Sequence, residues 1–176
     1  MSILCPFCLE EHDEHVWKAD GGVEKTIPQT YINEVERVAL ICPVAIIGDT
    51  GTGKTTFLCG LIHSLYLGPH RDQIYIEALT EYTLNKILDE YIPILQKGNF
   101  LPLTIRPFEE PIIIKIRFKS IKFNIFQKKE FVLIIYDTKG ANYISVSEIK
   151  IKFPLIKKIP NIILLADSYK LCTENT

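Results

Sequence analysis

Short apolar runs alternate along the chain with segments in which apolar residues recur at helical spacing. Residues 44–47 form an apolar run that predicts a strand ending at Gly48. Residues 54–67 carry apolar side chains every three or four positions, which predicts a helix that ends at Gly68. Residues 131–136 form a second continuous apolar run, typical of a central strand buried on both faces. This order of strands and helices predicts an α/β fold.

Further elements are predicted from the same periodicities. Residues 73–79 alternate like a strand, and residues 80–96 have helical spacing, with Thr80 as the predicted N-cap. The stretch 111–126 mixes long apolar runs with lysine and arginine, and it is predicted to pair with the next apolar run as an antiparallel hairpin. Residues 161–166 predict another buried strand.

The chain divides into two predicted domains. Residues 1–40 contain Cys5, Cys8 and an acidic stretch, and they predict a small knuckle followed by a linker. Residues 41–176 form the second predicted domain. It is expected to be incomplete at its C-terminus, because only nine residues follow Asp167 where further strands and helices would be needed.

Composition and charge narrow the class of protein. Of the 176 residues 47% are hydrophobic, which is enough for a packed core and excludes a disordered chain. The formal net charge of -1 provides no basic field for nucleic acid. Five cysteines and the lack of a signal-peptide pattern predict a cytoplasmic protein. No apolar run approaches the roughly 18 residues that a transmembrane helix needs.

A glycine-rich loop joins the first long strand to its helix and matches G-x-x-x-x-G-K-[ST] in full. Glycines allow the backbone angles that turn N–H groups toward a phosphate, and the helix adds its positive dipole end. Lys54 is predicted to neutralise the phosphates, and the Thr55 hydroxyl is predicted to bind Mg²⁺. The predicted nucleotide-binding residues are Gly48, Asp49, Thr50, Gly51, Thr52, Gly53, Lys54, Thr55 and Thr56.

An aspartate follows the apolar run 131–136. Asp137 is predicted to hold Mg²⁺ opposite Thr55, and the alternative is an ordinary strand-end aspartate that caps a loop. Residues 137–140 read D-x-x-G, so the N–H of Gly140 is predicted to bond the γ-phosphate and report its presence. The catalytic roles are therefore predicted for Lys54, Asp137 and Gly140.

Together, the loop, the hairpin and the D-x-x-G sequence resemble the P-loop GTPases of the translation-factor and Ras-like class over residues 43–167. The Cys5-Pro6-Phe7-Cys8 start is similar to a subgroup called double-GTPase domains. The resemblance implies a three-layer P-loop NTPase fold with a mostly parallel sheet and one antiparallel hairpin strand. It also implies a threonine on Mg²⁺, for which Thr104 is the candidate and a solvated loop threonine the alternative.

The sequence departs from the pattern of that class in one residue and in one missing motif. Ala141 stands where many small GTPases carry a water-positioning glutamine, which predicts slow hydrolysis. The chain has no [NT]-K-x-D sequence for reading guanine, because the similar stretch 85–89 has one residue too many and lies in a predicted helix. The resemblance favours GTP over ATP, but the residues themselves leave the base open.

The amino-terminal cysteines suggest a second cofactor. Cys5 and Cys8 have the spacing of half a zinc knuckle, because a C-x-x-C turn can direct two thiolates to one tetrahedral Zn²⁺ ion. His12 and His15 are the predicted remaining ligands, with Cys42 as a more distant candidate. The alternative is a pair of reduced surface cysteines.

The sequence predicts a Mg²⁺-dependent GTP-binding switch with slow hydrolysis, whose output is binding to a protein partner. An ATP-using ATPase or small kinase is one alternative, although the stretch 141–158 lacks the arginines of a kinase lid. A non-catalytic interaction module with a relic loop is the other. There is no strong nucleic-acid signal. The basic residues that alternate in the hairpin are interpreted as its solvent face: Lys115, Arg117, Lys119 and Lys122.

Overall fold

The computed structural model describes most of the predicted core of the chain. The described residues are 3–12, 16–18, 24–38, 40–69, 72–97, 110–118, 130–138, 150 and 153–167. In this part of the chain, strands and helices build an α/β fold around one mixed sheet, as the alternating pattern predicts. None of the helices in these ranges combines the length and the apolarity needed to cross a bilayer.

The regular elements follow in chain order. The strands are β1 (Ile3–Leu4), β2 (Glu11–His12), β3 (Val16–Lys18), β4 (Glu24–Thr26), β5 (Ile41–Gly48), β6 (Ile74–Ala78), β7 (Ile112–Phe118), β8 (Glu130–Asp137) and β9 (Asn161–Leu165). The helices are α1 (Gln29–Val35), α2 (Lys54–Leu67), α3 (Glu81–Asn85) and α4 (Ile92–Gln96), with a π-helical segment at Lys86–Tyr91 and a 3₁₀ segment at Pro154–Lys157.

The central sheet of the described residues has the strand order β6, β7, β8, β5, β9. Strand β5 pairs in parallel with β8 and with β9, whereas β7 is antiparallel to both β6 and β8. The predicted antiparallel pairing of β7 with β8 is confirmed. The prediction of a mostly parallel sheet is wrong, because β7 lies between two strands that run against it and makes both of its pairings antiparallel.

Apolar side chains cover both faces of the sheet. On one face, α2 and the π-helical segment pack in a cluster that contains Ile46, Leu58, Ile62, Ile87, Ile114 and Ile135. On the other face, the amino-terminal segment and α1 pack in a cluster that contains Ile3, Cys5, Phe7, Tyr31, Ala45, Ile134 and Tyr136. Ile3, Cys5 and Phe7 of the amino-terminal segment are therefore part of the core.

The helix predicted from residue 80 begins as expected, because the Thr80 side chain caps it. The main-chain N–H of Thr83 donates to Thr80 Oγ1 at 3.0 Å. The Thr83 hydroxyl in turn accepts from the main-chain N–H of Ile113 at 2.9 Å, which ties the cap to β7. The predicted N-cap is confirmed, and it also positions α3 against the sheet.

Pro93 does not end this helix, although proline lacks the N–H that a helix interior needs. The π-helical segment ends immediately before α4, and the N–H of Ile92 donates to the carbonyl of Ile87, five residues back. This wider turn changes the hydrogen-bond ladder just before the proline, as π-bulges do within α-helices. The helical path then continues through Pro93 to Gln96.

Two burial predictions are wrong. Strand β9 is an edge strand of the described sheet, and Ile162 and Leu164 are 52% and 70% exposed, although an apolar run predicted a buried strand. Lys115 was predicted on the solvent face of the hairpin but is buried, where it forms an ion pair with Glu34 of α1. Lys115 is buried by a partner from a distant part of the chain, whereas β9 is exposed because it lies at the edge of the described sheet.

Two buried tyrosines hydrogen-bond the amino-terminal segment, one from the sheet and one from α1. Tyr136 of β8 donates its hydroxyl to the Pro6 carbonyl at 2.7 Å, and Tyr31 of α1 donates to the Leu4 carbonyl at 2.7 Å. Burial also raises the pKa of the Tyr136 hydroxyl, so the group stays a neutral donor. The first bond attaches the turn between β1 and β2 to β8, and the second attaches β1 to α1.

We expect Tyr136→Phe to lower the free energy of unfolding by about 1–3 kcal/mol, because the buried Pro6 carbonyl loses its donor. Urea unfolding followed by circular dichroism measures the change. Tyr75→Phe is the matched control, because the Tyr75 side chain is 47% exposed. Equal effects of the two substitutions would contradict a stabilising role for the Tyr136 hydroxyl.

Candidate functional site

The glycine-rich loop lies between the end of β5 and the start of α2. Gly51 and Gly53 have φ angles of 84° and 82°, in the left-handed region that residues with a side chain rarely adopt. Gly53 is also the residue that precedes the first helical position, Lys54. Two glycines of the predicted motif are therefore required by the backbone path that leads into the helix.

Gly48 is required for a different reason, which is its close contact with β9. A Cβ atom at Gly48 would lie 2.4 Å from the main-chain oxygen of Leu165 and 2.7 Å from Thr52 Oγ1. Those distances are far shorter than van der Waals contact allows. A larger residue at the first motif position would therefore push β9 away from β5.

The Lys54 side chain folds back onto the loop. Its Nζ donates to the carbonyl oxygens of Gly48 at 2.8 Å and Asp49 at 2.7 Å. Burial lowers the pKa of Lys54, while the charges of Asp137 and Asp49 oppose that shift. The ammonium group is thus held inside the loop, next to a carboxylate.

Thr55 and Asp137 meet across two neighbouring strands. The Thr55 hydroxyl donates to Asp137 Oδ2 at 3.2 Å. Their approach follows from the parallel pairing of β5 with β8, since the register sets Ile46 opposite Asp137 and the loop and α2 follow directly. The two residues predicted to share Mg²⁺ are brought together by the fold.

Asp137 is a half-buried residue, and one oxygen of its carboxylate is buried without a partner among the described residues. Burial raises its pKa, and the Thr55 hydrogen bond and the charges of Lys54 and Lys86 partly oppose that shift. Within the described part of the chain, Asp137 Oδ1 is buried and has no hydrogen-bond partner. An unpaired buried carboxylate oxygen is unfavourable, and a cation would supply the missing partner.

The remaining loop residues form a second set of contacts. The Asp49 carboxylate accepts from the N–H of Thr50 at 2.7 Å, and Thr52 Oγ1 donates to the Asp49 carbonyl at 2.9 Å. Thr56 is exposed on the first turn of α2. The predictions for Gly140, Thr104 and His15 concern positions outside the described residues.

Two contributors to the site were not predicted from the sequence. Thr138, the second residue of the D-x-x-G stretch, is buried and donates its hydroxyl to the Ile46 carbonyl at 2.7 Å. Lys86 lies in the stretch 85–89, which does not match the guanine-reading pattern, and its positive charge lowers the pKa of Asp137. Only the three-dimensional pairing of β8 with β5 and the π-helical segment reveals these two roles.

A separate cluster of metal-binding side chains lies at the amino terminus. One potential ligand atom from each of Cys5, Cys8 and His12 lies within 4.8 Å of the other two. Cys8 Sγ and His12 Nε2 are hydrogen-bonded at 2.9 Å. Burial raises the pKa of the Cys5 thiol to about 11. The predicted distant ligand Cys42 is not a member of this described cluster.

Comparisons with protein-family models, with curated proteins and with solved structures found no match for this chain.

We expect Gly48→Ala to lower the free energy of unfolding by about 1–3 kcal/mol, because its Cβ atom would collide with the Leu165 main chain. Gly60→Ala, within α2, is the matched control. Its Cβ atom would meet nothing within 4 Å, and alanine favours the helix, so this variant should gain up to about 1 kcal/mol. Chemical unfolding of both variants measures the contrast, and a Gly48→Ala protein as stable as wild type would contradict the close contact.

We expect Asp137→Asn to make the ligand-free protein more stable than wild type at neutral pH. Because the folded pKa of Asp137 is raised, the folded state binds this proton more tightly than the unfolded state. The contribution of Asp137 to the free energy of unfolding is therefore greatest at low pH. It falls as the pH rises from the ordinary aspartate range through the raised pKa. The neutral asparagine does not show this fall.

Urea unfolding of the ligand-free protein across a pH series tests this expectation. The difference between Asp137→Asn and wild type should shrink as the pH is lowered, when both side chains are neutral. Asp72→Asn, at an exposed position, is the control for a general charge effect. A stability difference that stays constant with pH would contradict the expected proton linkage.

Proposed function

We propose that the protein is a Mg²⁺-dependent nucleoside-triphosphate-binding switch that prefers GTP and hydrolyses it slowly. The observation that carries the proposal is the unpaired, buried Oδ1 of Asp137, beside Thr55 and the lysine of the glycine-rich loop. The other oxygen of that carboxylate accepts from the Thr55 hydroxyl. The carboxyl ends of these strands thus combine a loop suited to an anion with a carboxylate suited to a cation.

The loop has the chemistry that phosphate binding requires. Two left-handed glycines precede a helix of 14 residues, whose N-terminal N–H groups carry partial positive charge. Lys54 now donates to the neutral carbonyls of Gly48 and Asp49. A phosphate oxygen is a charged and therefore stronger acceptor, which favours exchange of these carbonyls for the β and γ phosphates.

Thr55 and Asp137 are the residues that would hold Mg²⁺. A magnesium ion prefers oxygen ligands, binds few protein groups and keeps several waters, and this pair supplies a hydroxyl and a carboxylate. When bound with the nucleotide, the ion would neutralise charge on the phosphates. The Asp137 Oδ1 atom is shielded from solvent, while Lys54 adds positive charge on the same side of the loop.

The preference for GTP, the slow hydrolysis, a protein partner and a cytoplasmic location all extend the resemblance to P-loop GTPases. Slow hydrolysis follows from Ala141, which has no group to position a water molecule. A switch of this kind acts by binding its partner in one nucleotide state and releasing it in the other.

Fluorescence titration with labelled GTP and labelled ATP, each with and without Mg²⁺, tests the proposal. We expect wild-type protein to bind GTP more tightly than ATP and to lose affinity when Mg²⁺ is removed. Lys54→Ala should weaken binding by about 100-fold, because loss of a charged partner from a buried contact costs about 2–5 kcal/mol. Asp137→Asn should lose the dependence on Mg²⁺.

Lys97→Ala is the matched control, because Lys97 is an exposed lysine that follows α4. It should bind nucleotide as the wild type does. Tighter binding of ATP would replace the GTP preference with an ATP-using function. A cooperatively folding protein that binds neither nucleotide, or a Lys54→Ala variant that binds like wild type, would overturn the proposed nucleotide site.

A further inference from the structure

We propose that Cys5, Cys8 and His12 bind one Zn²⁺ ion, which holds the amino-terminal turn on the sheet face opposite α2. This site goes beyond the proposed function and does not depend on it. None of its three residues belongs to the glycine-rich loop. Three features favour the ion: the arrangement of the three side chains, the turn that carries them, and the contacts between this turn and the rest of the fold.

The separations between the ligand atoms suit a tetrahedral ion. Zinc–sulfur and zinc–nitrogen bonds of roughly 2.0–2.3 Å place ligand atoms about 3.5 Å apart. In this cluster the closest pair, Cys8 Sγ and His12 Nε2, is 2.9 Å apart, and all three atoms lie within 4.8 Å of one another. An ion would replace the hydrogen bond between Cys8 and His12 with two coordinate bonds, and the side chains need only small shifts.

The backbone of the turn directs the three side chains to one point. Antiparallel pairing of β1 with β2 sets Ile3 opposite His12, which brings the histidine back beside the cysteines. The N–H of Phe7 donates to Cys5 Sγ at 3.4 Å, a bond that also suits a thiolate. Leu9, directly after Cys8, has a φ of 55°, a conformation that leucine rarely adopts.

The donor set selects the class of ion. Two thiols and one imidazole favour a borderline-soft metal such as zinc over magnesium or calcium, which prefer oxygen. The thiols bind as thiolates, so their protons leave to the solvent when the ion enters. Cys5 is buried, while Cys8 and His12 are partly exposed and leave a path for the ion. Three protein ligands leave one tetrahedral position for water or another donor.

The turn that would hold the ion is joined to β8 and to the residue that follows the 3₁₀ segment. The Pro6 carbonyl, between the two cysteines, accepts from Tyr136 of β8. Lys158, near the other end of the chain, donates to the Cys8 carbonyl at 3.2 Å and pairs with Glu10. Fixing the turn with an ion would therefore also stabilise the face of the core that these residues cover.

Zinc content of the full chain tests the proposal. Protein produced with added zinc and purified without chelator should contain one zinc ion per chain, measured by elemental analysis and native mass spectrometry. Cys8→Ser and His12→Ala should each reduce zinc affinity at least tenfold. Cys42→Ser, a cysteine variant outside the cluster, and Lys54→Ala, in the glycine-rich loop, should keep wild-type zinc content.

A second measurement on the wild type covers the case in which a ligand variant fails to fold. A strong chelator should lower the melting temperature, and added Zn²⁺ but not Mg²⁺ should restore it. Cobalt added to the metal-free protein should give thiolate-to-metal charge-transfer absorption that Cys8→Ser weakens. A folded wild type that takes up no zinc, zinc loss in Cys42→Ser equal to that in Cys8→Ser, or a melting temperature unaffected by chelator would overturn the proposal.

Discussion

The parallel pairing of β5 with β8 is the constraint on which the candidate site and both halves of the core depend. Its register sets Ile46 opposite Asp137, so the last residue of β8 lies beside the strand that continues into the glycine-rich loop. Strand β8 contributes alternate side chains to the two core clusters. Ile135 packs on the side of α2, and Tyr136 packs on the side of the amino-terminal segment. A shift of one residue would exchange these faces and would also separate Asp137 from Thr55.

Local signals predicted much of the fold, and non-local contacts explain what they missed. The bounds of α2, the Thr80 cap and the strand before the loop follow from periodicity and from glycine and threonine chemistry within a few residues. The burial of Lys115 depends on Glu34, which is 81 residues away. The exposure of β9 depends on its edge position. The meeting of Thr55 with Asp137 was predictable, because both follow apolar strands whose carboxyl ends share an edge.

The loop combines structural and functional demands in the same residues. Gly48 is needed to let β9 approach β5, whether or not a phosphate binds, and Gly51 and Gly53 are needed for the path into α2. Asp137, in contrast to these glycines, destabilises the ligand-free fold, because its carboxylate is desolvated and one of its oxygens has no partner among the described residues. Proteins commonly tolerate such a destabilising group where binding requires it.

The bond between Tyr136 and Pro6 joins residues 130 positions apart, and Lys158 reaches Glu10 across 148 positions. During synthesis the amino-terminal turn is therefore made well before β8, the strand against which it packs. The apolar residues Ile3 and Phe7 cannot be buried against β8 until that strand has been synthesised. Contacts of such long sequence separation slow folding, and they make closure of this face a late event.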